Sequence, residues 1–219
     1  MDTFVAPGQL GDTLREEPRW VGALLVGAAI SLITAALIPV EAFEVALAAG
    51  DAAGGGLGGG DTPISEEALL RIMRWGAVIG APLMTLVMTL VVGGLSALLF
   101  VGILGDEGRF KQHLAMAAHS NLIVAVGGIA SLILIIIAGD FRAAVTLGTF
   151  FQPLLEDGYP LRVLSQLSPV GIWALIVMGI GVSRFDRERG WVSPIIWLMT
   201  FRILLALAFG LIRVPGGFG

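Results

Sequence analysis

Leu114 to Ala138 reads LAMAAHSNLIVAVGGIASLILIIIA, a run without a single Asp, Glu, Lys or Arg that closes on Ser131 to Ile137. The hydrocarbon core of a bilayer is about 30 Å thick and takes roughly 20 apolar residues to cross at 1.5 Å each. This run is long enough to cross as a helix. In lipid it has to be one, because an open strand would leave backbone groups unpaired. Four further stretches have the same character: about Trp20 to Val40, Gly76 to Leu104, Pro169 to Val182 and Val192 to Ile212. Pro82 is expected to kink the second near one end, and the fourth is short but extendable upstream through Leu164 and Leu167. The expected fold is therefore all-α, a polytopic helical membrane bundle of about five transmembrane helices with amphipathic interfacial helices.

Composition agrees. A soluble domain carries about 25% charged residues, whereas this 219-residue chain has 14% charged and 56% hydrophobic residues with a mean hydropathy of +0.91. A larger core does not account for the deficit, since small domains always leave polar surface facing water; a lipid-facing surface does. The net charge of −4 leaves no electrostatic footprint for nucleic acid. With no cysteine there is no disulfide scaffold, thiolate metal site or cysteine nucleophile. One lysine beside twelve arginines, with abundant Ala and Gly, has the look of a high-GC bacterial genome, which points to a bacterial inner membrane.

The segments around the spans divide the chain. Residues 1–19 carry four acids and no signal-peptide pattern. Leu10 and Leu14, four apart between Pro7 and Pro18, predict a short amphipathic helix on the membrane, with Trp20 at headgroup level. The membrane domain then covers residues 20–212, and residues 213–219 form a C-terminal tail. Gly50 to Gly60, GDAAGGGLGGG, reads as a flexible linker. A phosphate-cradling loop would end in Gly-Lys-Ser/Thr, and Lys111 follows no glycine. Beyond the linker, Thr62 can cap, Pro63 suits the first helical position, and Glu66 and Glu67 complement the dipole. The helix from Pro63 to Arg74, with Leu69, Ile72 and Met73 on one face, is expected to lie along the interface.

Lys and Arg counted by side set the orientation. With five crossings the N-terminus shares a side with Arg15, Arg19, Arg109, Lys111, Arg184, Arg187 and Arg189. Arg71, Arg74, Arg142, Arg162 and Arg213 lie opposite. The basic turn Arg184 to Arg189 is the clearest signal, and it places the N-terminus in the cytoplasm.

Intramembrane polar residues are the functional candidates. Arg202 sits about half a span deep at roughly 1.5 Å per residue, with no acid inside any expected span. It can serve as helix glue through backbone carbonyls, as a site for an anionic lipid headgroup or solute, or as a contact to a partner subunit. His119, Ser120 and Asn121 form a second cluster. Consecutive residues diverge around a helix, so interhelical hydrogen bonding is favoured over a shared cavity. Ser96 with His119 is the serine dyad an intramembrane protease would need, but Ser96 beside small residues is ordinary packing chemistry. His113 and His119 are six apart, not the four that would set zinc ligands on one helix face. No catalytic, cofactor or metal site is expected. Small-residue stripes at Gly27, Ser31 and Ala35, and at Gly76 and Gly80, suit close helix packing or self-association.

Three local patterns, in order, resemble the Yip-domain family of Ypt/Rab-interacting membrane proteins, especially its prokaryotic branch. The first is Pro7 and an amphipathic stretch leading through Leu14-Arg15-Glu16-Glu17-Pro18-Arg19-Trp20 into a span. The second is Gly105-Asp106-Glu107-Gly108 followed by Arg109, Phe110, Lys111 and Gln112, then small and polar residues to His119-Ser120. The third is Ile172-Trp173-Ala174-Leu175 to Gly179-Ile180-Gly181, a short basic turn and the last span. The likeness runs from Pro7 to about Leu207. It implies a five-span helical protein that is not an enzyme, associated with membrane lipids and other membrane proteins. The expected role is membrane organisation or scaffolding; the alternative is a small transporter or channel for a lipid or anionic solute, with Arg202 in its path.

Overall fold

In the computed structural model, residues 2–52, 65–139, 143–155, 158–186 and 188–211 are described. They form helices α1 (Asp2–Val5), α2 (Pro7–Glu16), α3 (Val21–Ala36), α4 (Val40–Ala52), α5 (Glu66–Ala97), α6 (Phe110–Ala138), α7 (Leu147–Phe151), α8 (Tyr159–Ser165), α9 (Pro169–Val182) and α10 (Val192–Gly210), with no strand among them. The all-α polytopic reading holds. Among the described residues, three helices are long and apolar enough to cross a membrane, and the number rises to five if each of two bent helix pairs counts as one span.

Proline sets both bends. Pro39 has no N–H to continue the ladder, and α3 gives way there to α4 at an angle of 72°. Pro169 disfavours helical geometry in the residue before it, so the upstream extension of the fourth span leaves at 58° as α8. By contrast, α5 runs through Pro82 without interruption. It continues into a π-helical turn, Leu98–Ile103, for 38 residues in all. That is about 57 Å at 1.5 Å per residue.

Two expectations meet a different arrangement. Glu66 to Arg74 is the first part of α5 rather than a separate helix. Nothing between Trp75 and Gly76 breaks the ladder. The expected linker from Gly50 begins as the last residues of α4. The rest of that linker, together with Thr62, Pro63, Arg142, Arg187, the end of the fifth span at Ile212 and the tail, lies outside the described residues.

The chain separates into two compact units. Unit 1 comprises residues 1–31, 82–127 and 170–204, and unit 2 residues 32–81, 128–169 and 205–219. In unit 1 the start of α6 is the central post, buried on every face from Gln112 to Ala118. Around it lie Leu10, Leu14, Phe100, Val177, Met178 and Val182 in one apolar cluster. Glycines let backbones approach: a Cβ on Gly179 would fall 2.9 Å from the Ile195 backbone, and one on Gly93 2.9 Å from Leu114 Cα. In unit 2, α7 packs on α8. The Tyr159 hydroxyl donates to Leu207 O at 3.0 Å and Arg162 Nε to Gly210 O at 3.1 Å, so α8 caps carbonyls that α10 leaves unpaired at its end.

Candidate functional site

One group of polar side chains in unit 1 gathers where the turn after α5 meets α2 and the α9–α10 loop. Two residues past the π-helical turn stands Gly105, whose φ of +75° favours glycine. The chain folds back there, with Asp106 N donating to Phe100 O at 2.9 Å. This turns the Asp106 side chain inward, where 3% of it remains exposed.

A charge so buried needs a partner. Arg189, from the α9–α10 loop, supplies an ion pair to Asp106 Oδ1. Its other terminal nitrogen donates to Ser193 Oγ at 3.2 Å, and its guanidinium carbon lies 5.9 Å from the centre of the Phe100 ring. Asp186 completes the clasp. It accepts from the backbone N–H of Glu107 at 3.3 Å and of Glu188 at 2.8 Å. Between turn and loop lies a cavity of about 430 Å³, lined by Asp106, Asp186, Glu188, Arg189 and Ser193 among others.

Gln112 joins α2 to this clasp. At the third position of α6 its Oε1 accepts from Arg109 N at 2.6 Å, the returning half of a capping box. Its Nε2 donates to Arg15 O at 2.7 Å, satisfying a carbonyl at the end of α2. Of the four residues in the family-like turn, Gln112 is buried, while Arg109, Phe110 and Lys111 are exposed.

His113 follows, fully buried. Its Nδ1 lies 2.9 Å from Ser96 Oγ. Phe100 stacks at 6.0 Å and Phe185 meets the imidazole edge-on at 5.3 Å, while Nε2 has no partner and lies against Gly108. The serine considered as a nucleophile thus does meet a histidine, but His113 rather than His119. Ser96 is 1% exposed, and His113 lies between the rings of Phe100 and Phe185.

The other anticipated residues lie apart from this region. His119 Nδ1 is 2.9 Å from Ala115 O on its own helix. Ser120 is buried with its hydroxyl unpartnered. Asn121 donates to Thr89 Oγ1 at 2.9 Å, Thr89 Oγ1 to Thr85 O at 2.8 Å, and Thr85 Oγ1 pairs with Ser31 Oγ at 3.0 Å. That ladder ties α6, α5 and α3, and it uses one of the small-residue positions of α3. Arg202 is half-buried in α10 and engaged within the chain. Among the described residues, no three of His, Asp and Glu gather as metal ligands.

Asp106, Arg189 and the Ser96–His113 pair were not anticipated as a site. Asp106 was legible only as part of a turn, and Arg189 only as a topogenic charge. Their meeting is long-range.

Several apolar spans, tied by short polar links and clasped at one end by an ion pair, define a multi-pass helical membrane protein. The chain belongs to the Yip1 domain family, whose profile matches residues 1–212. No curated protein and no solved structure matches it.

Proposed function

We propose that this protein is a non-enzymatic scaffold of a bacterial inner membrane, which organises or shapes the bilayer by holding other membrane proteins and lipids, with its N-terminus in the cytoplasm. The clasp is the observation that carries this reading. Three stretches far apart in sequence, α2, residues 104–112 and residues 183–193, are knit together by Gln112, Asp106, Arg189 and Asp186. They coincide with the stretches that resemble the family. Such a mixed-charge platform suits recognition of a protein partner. The Ser96–His113 pair beside it is buried.

The transporter reading asks for polar side chains that line a path. Ser31, Thr85, Thr89 and Asn121 instead bond to one another or to backbone in a ladder across α3, α5 and α6, which is how polar side chains act as glue between membrane helices. The test is purification from native membranes in mild detergent, comparing the wild type with Asp186→Ala. A defined set of membrane proteins should accompany the wild type and be depleted from the variant. Recovery of the wild type with lipid alone would overturn the scaffold reading.

A further inference from the structure

We propose that α2 is a strap that exchanges between its seat on unit 1 and the adjoining lipid surface. This goes beyond the scaffold reading and does not depend on it. The helix Pro7–Glu16 carries two large apolar side chains, Leu10 at 7% exposure and Leu14 at 2%. Both belong to the unit 1 core cluster with Met116, Val182 and Phe185. Their spacing suits a membrane surface equally well, since a helix with one apolar face lies at the headgroup boundary when no protein covers that face. Lipid and protein therefore compete for the same stripe.

The seat depends on shape rather than on strong bonds. A Cβ on Gly11 would lie 2.6 Å from Gly181 O and 2.9 Å from Arg184 Cγ, while the Arg184 guanidinium rests over Gly8. The polar ties are the Gln112 bond to Arg15 O and a 4.0 Å approach of Arg15 to the exposed Glu107 carboxylate. An exposed pair of that kind contributes little. Two glycines also weaken a ten-residue helix on its own, so α2 needs an apolar surface to stay helical. Glu17 leaves the helix in extended geometry before Pro18, which forms a hinge ahead of α3. With α3 beginning at Val21, lipid is the nearest alternative surface.

The full chain in phosphatidylcholine nanodiscs tests this with a photoactivated carbene carried on the acyl chains and mapped by residue. In the wild type, Leu10 and Leu14 should be labelled above Met178, which is fully buried in unit 1. Gly11→Leu keeps the apolar stripe but cannot seat, so it should raise that labelling several-fold while Met178 stays dark. Gln112→Ala removes the tie to Arg15 O together with the cap on Arg109 N but leaves the shape of the seat, and it should give a smaller rise, with Met178 dark if α6 keeps its place. If Gly11→Leu also lights up Met178, that variant has lost its fold and Gln112→Ala decides. Labelling of Leu10 and Leu14 that stays at the Met178 level in the wild type and in Gln112→Ala would overturn the strap. So would release of α2 into water, read by hydroxyl-radical footprinting at the two leucines.

Discussion

Asp106 and Arg189 each make sense only through the other. Removing one member of a buried pair strands a charge at a cost of about 3–5 kcal/mol, whereas replacing both with apolar residues is often neutral or stabilising. Arg189→Met should therefore destabilise the purified protein by about 3 kcal/mol in denaturant unfolding, discounted for the 19% exposure of the arginine side chain. Arg189→Met with Asp106→Leu should recover most of that loss; equal damage from the double variant would show that the pair has a further role. Arg202 calls for a different experiment. Glue predicts that Arg202→Leu keeps a folded bundle with its lipid and partners, a headgroup site predicts loss of a co-purifying phospholipid, and a subunit contact predicts dissociation. The sequence marked Arg202 because a charge in an apolar run is visible in one dimension. It did not mark Asp106 or the double role of Gln112, because Arg15 is 97 positions from Gln112 and Arg189 is 83 from Asp106.

Among the elements, hydropathy located the apolar centres of the helices and missed what lies between them. The short helices α4, α7 and α8 were not foreseen. Their apolar runs are brief, and their stability comes from packing, as where α8 caps α10 through Tyr159 and Arg162. The π-helical turn at Leu98–Ile103 has no signature in its residues LLFVGI. Glycines separate close contacts from open faces. Gly179→Leu would drive a side chain into Ile195, where a Cβ already comes within 2.6 Å of its side chain. Overpacking of this kind costs about 1–3 kcal/mol or more, so this variant should unfold at markedly lower temperature in detergent. A Cβ on Gly76 would meet nothing within 4 Å, so Gly76→Leu should not lower that temperature. A fall on Gly76→Leu, accompanied by loss of an oligomer in light scattering, would assign the Gly76 and Gly80 stripe to self-association.

For the whole molecule the decisive measurement is topology. Five crossings place reporters after Arg19 and within Gly105 to Gln112 on the cytoplasmic side, and a reporter after Arg213 outside. The meeting of α2, residues 104–112 and the α9–α10 loop in unit 1 fits the first two positions sharing a side, whichever side that is. A C-terminus on the cytoplasmic side would refute five crossings, and α9 is the element to suspect, since its 14 residues reach only about 21 Å at 1.5 Å each. By itself the sequence determined that the chain is helical, that it is a membrane protein and which family it resembles. Hydrophobic length and uncompensated backbone in lipid are constraints that act on a local stretch, so a local stretch reveals them. Only the tertiary structure decided that the Leu10 and Leu14 stripe faces protein, that Ser96 meets His113 and that Asp106 is held by Arg189. Those outcomes depend on which faces of distant helices come together, and an apolar face is equally content against lipid or against another helix until packing chooses between them.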